Sequence, residues 1–508
     1  MICGLTADDM PLLLQWIKKP RSQERGFLAG VVGLEPTNGG VKVRCVTASP
    51  HPNVFCSISI AKRRAYVNLI FKIILFTCRF IYDTIFIYDF IILEGVIMQE
   101  IRIGIFGLRR GSTFIDSIKA CGGKIVAVCE KDEKQIEDVK KSLPKDVCVY
   151  SDFDSFVEHP MDAVLLANFF HEHAPFAIRC LEKGIHVLSE CTAGSTLAEC
   201  ASLARAARKS NAVYMLAENY PFMIFNQEMK RVCDEGTLGK IYYAEGEYNH
   251  PMDWYDTPAV LSIRPYEKHW RNFLPRSYYI THSLAPIMYA TGAFPARVTA
   301  MAINHPLPAD CPTAGHVSDV AAIITTQNTD GSVFKVTGCS AFGAHGNSYR
   351  ICGEKGQIEN LRGMGDKVML RYNHWNIPEG KKEVNCYKPK WKTEDRKSAR
   401  AAGHGGGDYF IIRHFFECLR EGKQPVFDYR FATALSAVAI LAHRSILNGA
   451  QPFDIPDFGK EEDCTKYEND ILSPFYYSDG TAPSAPCCSD VNYAPTAEQL
   501  NAYLASKV

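Results

Sequence analysis

Two residue patterns in this 508-residue chain could do chemistry. The first is Gly107-Leu108-Arg109-Arg110-Gly111-Ser112, which ends the apolar stretch IRIGIFG (101–107) and opens a helical pattern. A strand, a Gly-rich turn and a helix start aim backbone N–H groups at a pyrophosphate, at the positive end of the helix dipole. The usual G-x-G-x-x-G spacing is broken. Gly107 holds the first position, Arg109 and Ser112 replace the second and third glycines, and Gly111 is displaced by one. On its own the run also reads as an ordinary turn, although an arginine beside the phosphates could offset the lost close approach. Glu130 strengthens the cofactor reading. It ends the second apolar strand 23 residues after Gly107, where an acid accepts hydrogen bonds from the adenosine ribose hydroxyls and repels a 2′-phosphate. NAD is therefore expected in preference to NADP, and the alternative for Glu130 is a surface acid at a strand end.

The second pattern is Tyr278-Tyr279-Ile280-Thr281-His282-Ser283-Leu284. Hydride abstraction from a carbinol carbon needs a base for the hydroxyl proton, and an imidazole with an unperturbed pKa of about 6.5 suits that task. Taken alone, His282 reads equally as a histidine facing the core from a helix. The pair His171 and His173 is too sparse for zinc, lacking a nearby set of cysteines or carboxylates. It reads as a loop and helix start lining a cofactor pocket, and no metal is expected.

The elements that must position these residues alternate from Met98 onward. IRIGIFG, KIVAVCE (124–130), DAVLLAN (162–168), HVLSE (186–190) and AVYMLAE (212–218) are continuous apolar strands separated by helices. That grammar means a parallel sheet covered on both faces, a doubly wound dinucleotide fold. After Asn219 come alternating strands at hairpin spacing: 240–250, 297–303, 321–328, 332–341 and 348–360. They predict a second, α+β domain with a mostly antiparallel sheet, followed by a helix over 430–449 that stops at Gly449. The expected organisation is an α/β class chain: a Rossmann domain at 98–220, an α+β substrate and oligomerisation domain at 221–458, and an irregular tail at 459–508.

Residues 1–97 read differently. Residues 26–55 show neither helical nor strand periodicity, and their GLEPTN and VKVRC strings resemble translated transfer-RNA genes. Residues 66–97 are rich in Ile, Phe and Tyr, yet Lys72, Arg79, Asp83 and Asp89 interrupt them. Each such charge at mid-bilayer costs roughly 2.5–3.5 kcal/mol, so a membrane anchor is disfavoured. A spurious or disordered extension is expected, with Met98 as the native start.

Lys+Arg and Asp+Glu are both 56, which gives no reason to expect nucleic acid or an anionic membrane as partner. The 19 cysteines stand singly apart from Cys487-Cys488, and MICGLTADDM lacks a secretory start, so reduced thiols in the cytoplasm are expected.

The run DAVLLANFFHEHAPFAIRCLEKGIHVLSE resembles the Gfo/Idh/MocA family, and the likeness extends over residues 99–457, including GEKG and QPVFDYRFA. Asn168, His173, His186 and Glu190 fall at matching positions. A lysine follows that Glu in most of the family and takes part in proton transfer, but here the sequence is Glu190-Cys191-Thr192. An Asp four residues before the family's His is here Tyr278. Tyr279-x-Thr281-His282 is similar to the NAD-dependent glycosidases of the superfamily, which implies that Tyr279 and His282 form the acid/base pair. The resemblance also implies cofactor contacts from Asn168, His173, Glu190 and Asn219. A cleft would be lined by Glu218, Glu245, Glu247, His250, His269, Trp270, Arg271, His404 and Asp408, with Trp270 stacking on an apolar sugar face. The implied activity is hydride transfer with a sugar, sugar acid or cyclitol. The alternatives are an NAD-dependent glycosidase and a non-catalytic NAD sensor. A homo-oligomer, dimer or tetramer, is implied as well.

Overall fold

The computed structural model describes residues 32–37, 40–45, 100–308, 310–311 and 318–505. The chain divides into two units, 1–97 and 98–508. In the first, β1 (Val32–Thr37) pairs antiparallel with β2 (Gly40–Cys45). This corrects the reading that 26–55 has no strand content: Asn38-Gly39 lies between them in sequence, a dipeptide that favours hairpins. The segment 66–97 lies outside the described residues.

In the second unit, apolar runs build a six-stranded parallel sheet from β3 (Ile101–Phe106), β4 (Gly123–Cys129), β5 (Cys148–Tyr150), β6 (Ala163–Leu166), β7 (His186–Ser189) and β8 (Tyr214–Leu216), in the order β5-β4-β3-β6-β7-β8. The order reverses between β3 and β6, and ligands of such sheets bind beyond the C-terminal strand ends at that switch. Gly107, Glu130, Asn168, Glu190 and Glu218 all follow directly on these ends.

A nine-stranded sheet follows. It comprises β9 (Ile241–Asn249), β10 (Pro295–Ile303), β11 (Ala321–Asn328), β12 (Val333–Ser340), β13 (Gly346–Gly353), β14 (Gly356–Asn360), β15 (Val368–Tyr372), β16 (Val384–Tyr387) and β17 (Phe453–Asp454). All neighbours are antiparallel except β9 and β12. Alternation along β9 buries Ala244, Gly246 and Tyr248, and helix α1 (Thr281–Thr291) packs near that face. Two glycines let the backbone lie directly on the sheet. A Cβ on Gly246 would stand 1.9 Å from the Ser283 carbonyl oxygen, and one on Gly338 would stand 2.0 Å from that of Arg276. Gly246→Ala is therefore expected to cost about 1–3 kcal/mol of stability by overpacking and to lower turnover further by displacing α1, which carries His282. Urea titration beside an activity assay checks this; unchanged values in both would contradict it.

Helix α2 (Tyr429–Leu447) is the one described helix long and apolar enough to cross a bilayer, and it is mostly buried within the fold. The tail differs from the irregular segment expected. Helix α3 (Glu461–Tyr467) forms because Glu461, Glu462 and Asp463 occupy its first turn, where carboxylates suit the dipole. Glu461 also pairs with Arg205 and Arg208. The chain beyond it is irregular but buries Phe475, Cys487 and Cys488, before the final helix Ala497–Ala505.

Candidate active site

The nucleotide end begins at Gly107, whose φ of 88° and whose contact with β6 admit no side chain: a Cβ would lie 2.4 Å from the Ala167 carbonyl oxygen. Gly111 has the same role toward β3, where a Cβ would meet Ile105 at 2.4 Å. The displaced glycine thus lets the helix start lie close against the strand. Glu130 closes the turn, accepting from the amides of Leu108 at 2.9 Å, Lys131 at 2.8 Å and Asp132 at 3.2 Å. Ser112 opens the 3-10 turn that continues the helix start. Among the buried polar atoms, Asn168 Oδ1, His173 Nε2 and Asn219 Oδ1 have no protein partner, and all three follow the C-terminal ends of sheet strands. A side-chain-free cradle, an acid at the ribose position and orphaned polar atoms near the switch point together fit a dinucleotide.

The two arginines of the turn differ from the phosphate role expected of them. Arg109 donates to the carbonyl of Ser262. Arg110 is held by carboxylates: Nε donates to Glu190 at 2.8 Å, and Nη2 and Nη1 donate to Asp408 at 2.8 and 3.1 Å. Asp408 also accepts from Asn219 Nδ2 at 2.8 Å and lies 3.0 Å from His404 Nδ1. Burial alone would push the Asp408 carboxyl up, but hydrogen bonds from His404 and Arg110 hold it far below the usual range. Sequence spacing puts Arg110, Glu190, Asn219 and the His404–Asp408 pair in four separate segments; the fold makes them one network.

The second cluster centres on His282. Its Nδ1 lies 2.8 Å from Glu218 Oε1, which leaves Nε2 available to a substrate hydroxyl. Glu218 is fully buried. It also accepts from the Tyr220 amide at 3.2 Å and, through Oε2, from the Cys191 thiol at 3.2 Å, and that thiol in turn accepts from Thr281 Oγ1 at 3.3 Å. Burial would raise the Glu218 carboxyl, but the charge and hydrogen bond of His282, with those of Thr281 and Cys191, leave it below its ordinary value. Glu218 was expected to contact substrate; with its oxygens committed, it orients His282 instead. Cys191, at the position of the family's lysine, is part of that support.

Aromatic rings wall the site. Tyr220 stacks on His282 at 4.0 Å, while Tyr248 and Tyr279 meet it edge-on at 5.0 and 5.1 Å. Burial pushes the Tyr279 phenol well up, only partly opposed by the Arg271 guanidinium, so Tyr279 stays protonated and can donate. Tyr220 and Tyr248 were missed by sequence reasoning, although Tyr248 alternates with Glu247 and so had to face the other way. The same alternation corrects Glu245 and Glu247: they lie on the opposite face, paired with Lys335 and Arg350 and with Arg362. Trp270 is also corrected. It is buried, its ring stacked on Phe170 at 5.0 Å with the Arg271 guanidinium 4.3 Å away, and so forms part of the wall. Tyr278 is buried away from His282 and donates to the Ser195 carbonyl. His250 is exposed at the end of β9, beside Tyr248 and His345. His269 is buried and accepts from the Arg271 amide. His171 and His173 go to separate partners, the carbonyls of Tyr476 and Thr192, and burial drives them down to about 3 and about 4. Among the described residues no group of three or more metal-ligating side chains gathers.

Residues 101–218 match the model of the oxidoreductase family with an NAD-binding Rossmann fold, and residues 332–465 match the C-terminal domain of glycosyl hydrolase 109. Together the two matches fit the glycosidase-like branch of the Gfo/Idh/MocA family. The chain is 22% identical over 396 residues to a glycosyl hydrolase family 109 protein of Shewanella pealeana, covering 71% of this chain and 86% of that one. It is 22% identical to an alpha-N-acetylgalactosaminidase of Shewanella oneidensis, covering 71% and 85%. Among solved structures it is similar to levoglucosan dehydrogenase in complex with NADH and levoglucosan, at a TM-score of 0.60 and 18% identity, covering 71% of this chain and all of that one. Residues 101–218 thus carry an NAD-binding Rossmann fold.

For Glu130, the expected result is tighter binding of NAD than of NADP and a narrowing of that gap by about tenfold or more in Glu130→Ala, because one carboxylate–phosphate repulsion is removed. Fluorescence titration with both cofactors checks this. Equal affinities in the unaltered protein would take Glu130 off the ribose.

Proposed function

We propose that this protein is an NAD-dependent oxidoreductase that transfers hydride at a carbinol carbon of a sugar, sugar acid or cyclitol. The observation that carries the reading is the buried Glu218–His282 pair at 2.8 Å beyond the end of β8. His282 Nε2 takes the hydroxyl proton, Glu218 faces the imidazolium that results, and protonated Tyr279 donates to the same oxygen when it is anionic. NAD, when bound, accepts the hydride. Gly107 and the following amides would hold its pyrophosphate, Glu130 the adenosine ribose, and Asn168 and Asn219 the nicotinamide side. The Tyr220, Tyr248 and Tyr279 rings exclude water and offer faces to a sugar ring. Residues 98–220 form the nucleotide domain of this proposal and 221–458 the substrate domain. Copies would pair through the exposed face of the nine-stranded sheet that carries Glu245, Lys335 and Arg350. The cytoplasm suits the described cysteines, none of which forms a disulfide.

A second reading, a retaining glycosidase, is favoured by the glycosyl hydrolase 109 match at 332–465 and by the missing lysine after Glu190. Oxidation at C3 acidifies the C2 proton; its loss expels the aglycone from C1, water adds, and the returned hydride reduces C3. Aryl glycosides and free sugars assayed in D₂O separate the two. Net NADH without bond cleavage is the result expected of the dehydrogenase. Cleavage with C2 deuterium and no net NADH is expected of the glycosidase. Absence of both with every sugar tried would overturn the proposal.

A further inference from the structure

A cleft of about 620 Å³ is lined by Lys388, Lys390, Trp391, Arg396, Arg400 and Gly405. Its volume is in the range that holds a small ligand, roughly 300–1,000 Å³. It adjoins the site through the chain itself. Gly405 follows His404, whose ring lies 6.0 Å from Tyr220, and Tyr220 stacks on His282.

The lining carries an unbalanced charge. The chain as a whole is neutral, and nearby cations are matched: Arg413 pairs with Asp395 and Glu417, and Lys388 with Asp366 at 3.0 Å. Among the described residues no carboxylate pairs with Lys390, Arg396 or Arg400, and Asp366 is the one acid in the lining. Trp391 gives these cations a fixed wall, packed on Phe410 with ring centroids 4.4 Å apart. Guanidinium and ammonium groups around a concave space raise the local concentration of anions and bind carboxylate or sulfate oxygens directly.

We propose that this cleft holds the anionic group of a sugar residue next to the reacting one, a uronate carboxylate or a sulfate ester, so that the substrate is an acidic saccharide. The inference rests on the carbohydrate reading above and adds the charge of the substrate to it. A monosaccharide seated at His282 would reach the cleft only through a neighbouring residue, past the His404–Gly405 turn. Recognition there acts on binding and leaves the reacting atoms alone, so it appears in affinity and KM rather than in kcat.

The test uses the NAD-loaded full chain and three disaccharides of one skeleton: neutral, carrying a uronate, and carrying a sulfate ester. Calorimetry at low salt is expected to show at least one acidic form binding about tenfold more tightly than the neutral form, with the gap shrinking at high salt. K390E/R396E/R400E alters three exposed side chains, and its thermal melt reports folding. It is expected to abolish the gap while leaving affinity for the neutral disaccharide and turnover of neutral sugars unchanged. The arm with the larger gap tells carboxylate from sulfate. A wild-type protein indifferent to charge, or a gap that survives the triple variant, overturns the inference. Inorganic sulfate binding as tightly as the sulfated disaccharide would mean an adventitious ion only, and also overturns it. If neutral sugars turn over but charge is ignored, the acidic substrate alone falls; if no saccharide binds or reacts, the carbohydrate reading falls with it.

Discussion

Turnover by His282→Ala should fall about 10²–10⁴-fold, the range typical of losing a general base. The substitution removes an imidazole that the buried Glu218 carboxylate orients, and no lysine follows Glu190 to take its place. Glu218→Gln separates proton acceptance from orientation. Glutamine Oε1 can still accept from Nδ1, so the ring stays in place, but the charge facing the imidazolium is gone. An intermediate loss in kcat with little change in NAD affinity is expected of it. Single-turnover measurement of NADH formation reads both, and a full rate in His282→Ala would remove the acid/base assignment whichever net reaction is catalysed.

Arg110→Ala should destabilise the fold by about 3–5 kcal/mol, the cost of taking one partner from a buried ionic network. Asp408 is almost fully buried and Glu190 is mostly so; without the guanidinium Asp408 keeps Asn219 and His404 as partners and Glu190 the Cys191 amide, with no cation between the two carboxylates. R110A/D408N should regain part of the loss, because the orphaned charge goes with its partner. The network also sets an acid limit. The folded Asp408 carboxyl lies below its unfolded value, so its contribution is present above the ordinary carboxylate range and is lost as pH falls through the folded value. Urea titrations at neutral pH and near pH ~3 should show that difference shrinking in Asp408→Asn. A loss below about 1 kcal/mol for Arg110→Ala would mean that the pair behaves like a surface contact.

The nucleotide sheet was legible because each of its main strands is a continuous apolar run, and because chemistry at such sheets collects at strand ends. Gly107, Glu130, Glu190 and Glu218 could be picked by that rule alone. Their partners could not. The Arg110–Asp408 contact spans 298 residues, and no local period encodes it, so the arginine was read as a phosphate ligand. Trp270 looked available for stacking because its sequence does not show that Phe170 covers it. The short strands β5, β15, β16 and β17 gave too few alternations to register. Tyr248 was within reach, since the alternation that buries Ala244 and Gly246 also puts it beside His282.

The segment after α3 closes over the loop that carries the two buried histidines. Tyr476 supplies the carbonyl for His171, Ser478 donates to Glu172 at 2.6 Å, and Tyr477 shares a hydrogen bond with Ser195 at 2.7 Å. Tyr476 is made 305 residues after His171. At about 5–20 residues per second on the ribosome, that interval is on the order of 15–60 s. Throughout it the loop that carries His171 and Glu172 waits without the partners that Tyr476 and Ser478 supply.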